Sequence, residues 1–165
     1  DFARSAEPEF TPVNLHQLID DLSLLTRHKL THQNVQLVCK FEPDLPLVMA
    51  DAAQLEQAFL NLTLNAVEAM PKGGRLTISS RALRAPRSSP APTQVVIEFS
   101  DTGEGMSETQ RRRAFSSVLK TTKSAGTGLG LAIVRRVVET HRGKIMIKSR
   151  PGQGTTVSVT LPVCI

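Results

Sequence analysis

Apolar and polar positions alternate with the period of an α-helix in the stretch from Asp51 to Met70. The apolar residues recur at steps of four and three, which places them on one helix face; they are Leu55, Phe59, Leu62, Ala66 and Ala69. Asp51 is a suitable N-cap residue, and Pro71 with the glycines after it ends the pattern. The pattern predicts a helix whose apolar face is buried in a core.

A row of amide and carboxylate side chains runs beside that apolar face, made of Gln57, Asn61, Asn65 and Glu68. Asn is roughly 0.6 kcal/mol less favourable than Ala inside a helix, because its side chain competes for backbone hydrogen bonds. Asn61 and Asn65, one turn apart, are therefore candidate ligand-binding residues. A solvated polar face is the alternative interpretation of this helix taken alone.

The rest of the pattern predicts helices and strands along the whole chain. Leucines at helical spacing follow Asn14 and predict a helix to about Leu30, and a short helix is predicted from Ser107 to Phe115. β-Rich alternation predicts strands; these are Val35–Phe41, Arg75–Arg81, Gln94–Ser100, Lys144–Ser149 and Thr155–Leu161, with a short extended piece at Leu47–Met49. Residues 84–93, with three prolines, are predicted to be a hairpin loop.

Composition narrows the class of protein. The chain has 165 residues, of which 40% are hydrophobic, and this is enough for one core in one domain. Its net charge of +5 suits an anionic ligand, but the basic residues are scattered and there is neither Tyr nor Trp, so a nucleic-acid surface is not expected. Cys39 and Cys164 lack metal-ligand spacing, which favours reduced cysteines in a cytoplasmic protein.

The sequence DTGEGM, Asp101 to Met106, comes directly after a predicted strand. It provides a carboxylate at the end of that strand, followed by Gly103 and Gly105, where the backbone allows a flat ligand to approach closely. An ordinary Asp-Gly turn is the alternative interpretation.

Three glycines on alternate residues, Gly126, Gly128 and Gly130, lead into a predicted helix that ends at Gly143. Each Gly costs about 1 kcal/mol relative to Ala inside a helix. A phosphate site would explain that cost, because free backbone N–H groups at a helix N-terminus bind anions. The motif is not a Walker P-loop, since no Gly-Lys-Ser/Thr follows, and it does not follow a strand as a dinucleotide fingerprint does.

Taken in order, the Asn61/Asn65 helix, DTGEGM and the Gly126–Gly130 motif resemble the N, G1 and G2 boxes of the GHKL ATP-binding superfamily. Residues 14–162 look like the catalytic and ATP-binding domain of bacterial two-component sensor histidine kinases, nearest to the nitrogen-regulation type. The resemblance implies an α+β fold, a two-layer α/β sandwich (Bergerat fold) in which a mixed sheet of about five strands packs on three helices. Residues 1–12 would be a linker, and residues 13–165 the catalytic domain.

The resemblance also implies roles for individual residues. Asn65 would bind Mg²⁺ through its side-chain oxygen, with Asn61 near the metal or the phosphates, and Asp101 would accept a hydrogen bond from the adenine amino group. Residues 107–125 would form the ATP lid, in which Lys123 is a candidate for contact with the γ-phosphate. Further nucleotide contacts are implied at Gly103, Gly105, Phe115, Thr122, Gly126, Thr127, Gly128, Leu129 and Gly130.

One position bears on the type of reaction. The gyrase, mismatch-repair and heat-shock chaperone branches carry a Glu base four residues before the Mg²⁺-binding Asn, where this chain has Asn61, whose amide cannot take a proton. Gln57 is also an amide. Glu56 lies on the opposite side of the helix, and Glu68 lies beyond Asn65 in the other direction. We therefore favour a protein-histidine kinase over a hydrolase; a GHKL-type ATPase, an anti-sigma-type serine kinase and a non-catalytic scaffold are the alternatives.

The phosphate acceptor of such a kinase is expected outside this chain. The family's acceptor His is followed by an acidic residue, whereas the four pairs in this chain are His16-Gln17, His28-Lys29, His32-Gln33 and His141-Arg142. The expected partners are ATP or ADP, a His-containing dimerisation domain of the same protein and a response regulator receiver domain. The fragment is expected to be a monomer and its parent a homodimer.

Overall fold

The computed structural model describes residues 7–84, 91–115 and 130–163. Within these ranges the elements are, in chain order, β1 (Thr11–Val13), α1 (Leu15–His32), β2 (Val35–Phe41), β3 (Val48–Ala50), α2 (Ala52–Glu68), β4 (Gly74–Arg84), β5 (Pro92–Asp101), α3 (Glu108–Arg113), α4 (Gly130–Thr140), β6 (Lys144–Ser149) and β7 (Thr155–Pro162). The predicted strands at 35–41 and 144–149 match to the residue.

The main sheet has five strands in the order β2-β4-β5-β7-β6. Strand β2 runs parallel to β4, and the other neighbours are antiparallel. The register places Ile78 opposite Phe99, and Phe99 opposite Val157. Because side chains alternate between the two faces of a sheet, these apolar residues all lie on one face. The predicted mixed sheet of about five strands is therefore confirmed.

Helices α1, α2 and α4 cover that face and form the second layer of the sandwich. The apolar face of α2 is buried from Leu55 to Ala66, as predicted, whereas Ala69 at its end is half-buried. Leu55 and Phe59 have no exposed surface, and the centre of the Phe59 ring lies 5.4 Å from that of the Phe99 ring of β5. Burying a side chain of this size stabilises the fold by about 1.5 to 3 kcal/mol. The packing of α2 on β5 therefore joins the two layers near the middle of the sheet.

A second, two-stranded sheet pairs β1 with β3, with Thr11 opposite Ala50 and Val13 opposite Val48. The sequence pattern predicts only an extended piece at the later position and no strand at the earlier one. Three residues are too few for a period of two to be recognised, and Pro12 is atypical of strands. Strand β1 thus begins inside the segment interpreted as a linker, whose role stays a prediction.

The helix starts follow the predicted capping chemistry. Asn14 Oδ1 accepts from the Gln17 backbone N–H (3.1 Å), and Asp51 Oδ1 accepts in the same way from Gln54 (3.1 Å). Ser107 and Gln110 form a complete capping box at α3. The predicted end of α4 is corrected, because the helix ends at Thr140 and the left-handed residue after it is Arg142 (φ 58°), ahead of Gly143.

Among the described residues, no helix has the length and apolar character that crossing a bilayer requires.

His16, on α1, contacts the sheet near its β2 edge. Its ring stacks on Phe41 at 4.3 Å, and its Nε2 shares a 2.8 Å hydrogen bond with the Ser80 hydroxyl. Desolvation lowers the pKa of the His16 imidazole below its ordinary value of 6.5, and the Asp20 carboxylate opposes that shift. The folded state therefore binds this proton more weakly than the unfolded chain does.

We predict that the free energy of unfolding falls as the pH is lowered below 6.5, the ordinary pKa of the imidazole. In this window the unfolded chain binds more protons at His16 than the folded domain, so acid favours unfolding. Urea titrations at a series of pH values measure the slope, and His16→Gln should reduce it. His28→Gln, which removes an exposed imidazole from the same helix, is the matched control. An unchanged slope in His16→Gln would contradict this account.

Candidate functional site

Asp101 is the last residue of β5, and its carboxylate is oriented by the backbone around it. Asp101 Oδ1 accepts hydrogen bonds from the backbone N–H groups of Gly103 (2.9 Å) and Thr155 (3.2 Å). The first bond turns the chain sharply after the strand, and the second connects β5 to the start of β7. The side chain predicted to contact the ligand is thus fixed at the end of the sheet.

The segment after Asp101 lies between the end of α2 and the turn that joins β6 to β7. The Glu104 N–H donates to the Ala69 carbonyl (3.0 Å), and the Gly152 N–H donates to the Glu104 carbonyl (2.6 Å). A Cβ at Gly103 would collide with the Ala69 carbonyl, and one at Gly105 with the Arg150 carbonyl. Packing alone therefore requires both glycines, and their predicted contact with a ligand stays a prediction.

Asn61 and Asn65 lie on the half-buried flank of α2, beside its apolar face. Among the described residues, neither side chain makes a hydrogen bond. The Asn65 carbonyl accepts from the Ala69 N–H (3.0 Å), so Asn65 lies one turn before the residue that contacts the Asp101 loop. The structure thus brings the second asparagine and the carboxylate loop to the same end of α2.

These amides fit a magnesium ion better than most metals. Mg²⁺ takes oxygen ligands and keeps several of its waters, so one or two protein oxygens suffice. Within the described residues no group of three or more His, Cys, Asp and Glu side chains is close enough to hold a metal. The donor set of Asn61 and Asn65 therefore suits an ion that arrives with its own phosphate and water ligands.

Gly130 is buried and is the first residue of α4. His141, just after this helix, accepts a hydrogen bond at Nε2 from the backbone N–H of Asp51, the N-cap of α2 (3.0 Å). The end of α4 therefore lies at the start of α2. The predicted contacts at Thr122, Lys123, Gly126, Thr127, Gly128 and Leu129 lie outside the described residues.

A family model described as "Histidine kinase-, DNA gyrase B-, and HSP90-like ATPase" matches residues 50–165. This chain belongs to that ATPase family. The match spans all three predicted motifs, and the family confirms ATP as the expected nucleotide.

Individual relatives narrow the family to histidine kinases. The chain is 35% identical over 162 residues to the sensor protein FixL of Bradyrhizobium diazoefficiens, covering 98% of this chain and 31% of FixL. The nucleotide-free catalytic domain of the histidine kinase ThkA is 30% identical with a TM-score of 0.82, over 94% of this chain and 96% of that domain. Full-length ShkA in complex with AMPPNP is 25% identical with a TM-score of 0.81, over 98% of this chain and 32% of ShkA.

The predicted family and fold are therefore confirmed: this ATPase-family chain has the sandwich fold of histidine kinase catalytic domains. It spans between 16% and 34% of the length of eight curated relatives, among them FixL. The nitrogen-regulation type stays a prediction.

Phe115 follows α3 and is half-buried against the core. The guanidinium carbon of Arg135, on α4, lies 6.0 Å from the centre of its ring, at the limit of a cation–π contact. Phe115 is thus held by packing in this ATPase-family domain, and its predicted nucleotide contact stays a prediction.

Two of the four histidines are engaged in structural contacts. His141 is buried; its Nε2 accepts from the Asp51 N–H, so its Nδ1 carries the proton and donates to the Val137 carbonyl (2.7 Å). His16 is stacked on Phe41 and bonded to Ser80. These contacts explain His16 and His141 as packing residues, and the position of the phosphate acceptor stays a prediction.

The turn between β6 and β7 is a part of the site that sequence reasoning missed. The pattern predicts only a hairpin turn there, yet Thr155 contacts the Asp101 carboxylate and a Cβ at Gly154 would collide with the Asp101 carbonyl. The two glycines in Arg150-Pro151-Gly152-Gln153-Gly154 were the available signal. A Cβ at Gly152 would meet no atom within 4 Å, so only Gly154 is required by close packing.

We predict that Gly105→Ala destabilises the domain more than Gly152→Ala. Both glycines have positive φ, +72° and +76°, so the left-handed backbone costs about 1 to 2 kcal/mol for Ala in either place. Only Gly105→Ala adds a collision with the Arg150 carbonyl, which raises its total cost to about 2 to 5 kcal/mol. Urea unfolding of the two variants measures the difference, and equal costs would contradict the packing of this loop.

Proposed function

We propose that this chain is the phosphate-donor domain of a sensor histidine kinase. It binds Mg-ATP and transfers the γ-phosphoryl group to a His on a separate dimerisation domain of the same protein, from which a response regulator receives it. ThkA, whose catalytic domain shares this fold, is known in complex with the response regulator protein TrrA. Residues 13–165 are the catalytic domain of this proposal, and residues 1–12 its linker.

The observation that carries the proposal is the fixed carboxylate of Asp101. Two backbone N–H groups orient it at the end of the sheet. The loop after Asp101 contacts the C-terminal end of α2, near Asn65. A carboxylate held in this way is a strong acceptor for the exocyclic amino group of adenine, since hydrogen bonds to charged groups are the stronger ones. Asp101 is thus the residue that selects adenine.

Asn65 holds Mg²⁺ through its amide oxygen in this proposal, and Asn61 lies beside the metal or the phosphates. When bound, the ion neutralises charge on the transferring phosphoryl group. The packing of α4 against α2 supports a position of its N-terminus, at Gly130, near the phosphates, where its partial positive charge would favour them. The proposal includes phosphate contacts at Lys123, Gly126 and Gly128 and further nucleotide contacts at Thr122, Thr127 and Leu129, all of which lie outside the described residues.

The polar row of α2 favours transfer over hydrolysis. The helix is continuous from Ala52 to Glu68, so Asn61 stands one turn before Asn65, and an amide there accepts no proton from water. Glu56, nine residues before Asn65, projects to the opposite side. A GHKL-type ATPase or an anti-sigma-type serine kinase is the second candidate, and either would need a base near the γ-phosphate that Asn61 does not provide.

We predict that Asp101→Asn weakens binding of ATP and ADP by more than about a factor of ten, because a hydrogen bond to a charged group is worth roughly 1.5 to 3 kcal/mol. The Asn side-chain oxygen can still accept from the Gly103 and Thr155 amides, so the fold should persist. The second oxygen, however, becomes an N–H₂ donor facing the amino group of adenine. Isothermal titration calorimetry of both nucleotides measures the loss.

The matched control is Asp21→Asn, which removes the same charge from an exposed position on α1. It should leave both affinities unchanged. If Asp101→Asn binds ATP and ADP as tightly as the wild type while remaining folded, adenine is not recognised at Asp101 and the proposed site is wrong.

A further inference from the structure

The hydroxyl of Ser149, the last residue of β6, takes part in three hydrogen bonds. It donates to the Gly154 carbonyl (3.1 Å), accepts from the backbone N–H of Met106 (2.8 Å) and lies 2.7 Å from the Thr155 hydroxyl. Because its one proton is used towards Gly154, the Thr155 hydroxyl must be the donor of the third bond. Ser149 thus joins the β6–β7 turn to the end of the Asp101 loop.

Both ends of the Asp101 loop are connected to this one side chain. Met106, at the far end, donates directly to Ser149. At the near end, Thr155 donates its hydroxyl to Ser149 and its backbone N–H to Asp101 Oδ1 (3.2 Å). The hydroxyl of Ser149 therefore helps to set the position of the backbone N–H that orients the carboxylate.

The hairpin does not need this hydroxyl for its own closure. The Gln153 N–H donates to the Arg150 carbonyl (3.0 Å), and Ser149 and Thr155 are paired in the β6–β7 register. The bond from Met106, in contrast, crosses 43 residues of sequence and ends on Ser149. The bond to Met106 serves the carboxylate loop rather than the turn.

We propose that Ser149 is a positioning residue for adenine recognition, which acts by holding Thr155 and Met106 so that the Asp101 carboxylate meets the amino group of the base. This inference rests on the proposed function and extends it to a residue that would not touch the nucleotide. If it is correct, loss of the Ser149 hydroxyl weakens the binding of nucleotides whose base carries the amino group. It leaves unchanged the binding of nucleotides whose base lacks that group.

The test compares ADP with purine riboside diphosphate, which has a hydrogen in place of the adenine amino group. Ser149→Ala should weaken ADP binding about fivefold, the effect of one ordinary hydrogen bond. Binding of purine riboside diphosphate should change by less than about twofold, because the pyrimidine ring of its base has no N–H donor whose contact with Asp101 could be lost. Both affinities are measured by competition with a fluorescent nucleotide, at a temperature where circular dichroism shows each variant fully folded.

Three further variants complete the experiment. Ser149→Thr keeps the hydroxyl and should retain the preference for ADP, whereas Ser149→Cys, which preserves the shape but bonds weakly, should lose it and replaces Ser149→Ala if that variant does not fold. Ser158→Ala is the matched control, because Ser158 is a half-buried serine of the same hairpin bonded to Glu98 on the sheet. It should change neither affinity.

The outcomes separate this inference from the proposed function. Unchanged ADP affinity in Ser149→Ala, or an equal loss for both nucleotides, overturns the positioning role while leaving Asp101 as the adenine residue. If Asp101→Asn binds ADP normally, the proposed adenine site fails, and the role of Ser149 fails with it.

Discussion

The burial of one face of α2 against the sheet is the interaction on which the site depends. Leu55 and Phe59 are fully buried, and Phe59 packs on Phe99 two residues before Asp101. This contact sets the rotation of the helix, which leaves Asn61 and Asn65 on the half-buried flank. It also sets the position of the C-terminal end of α2 along the sheet, so that the Ala69 carbonyl reaches the Glu104 N–H. The spacing that buries the core residues of α2 therefore also places the asparagines on its flank.

The glycines of the DTGEGM loop show that a motif associated with a ligand is also a folding requirement. Even without a nucleotide, Gly103 packs against the Ala69 carbonyl and Gly105 against the Arg150 carbonyl, so neither position has room for a Cβ. The close approach of these backbones lets the loop bridge α2 and the β6–β7 turn. Because that bridge also carries the Asp101 carboxylate, the same residues serve stability and recognition, and a substitution that harms one is expected to harm the other.

The features that were predicted correctly are those that a local pattern of residues determines. Strand 35–41 is rich in β-forming residues, and the helix at 52–68 has an apolar stripe with an Asp cap; both were found in place. Asp101, predicted to follow a strand directly, is the last residue of that strand. Strand β1 was missed because three residues carry no period. The roles of Ser149 and His141 were missed because they depend on partners 43 and 90 residues away, and no local pattern reports such a contact. The family and its fold became predictable only when three individually weak motifs were taken in order.

The most direct test of the central claim is a calorimetric titration of this chain with ATP, with and without Mg²⁺, followed by an assay of released phosphate in the same sample. A donor domain that carries the amide of Asn61, and not a Glu, four residues before Asn65 should bind ATP saturably, bind it more tightly with Mg²⁺, and release negligible phosphate. Steady release of phosphate would instead favour the ATPase alternative. Absence of binding would contradict the account as a whole.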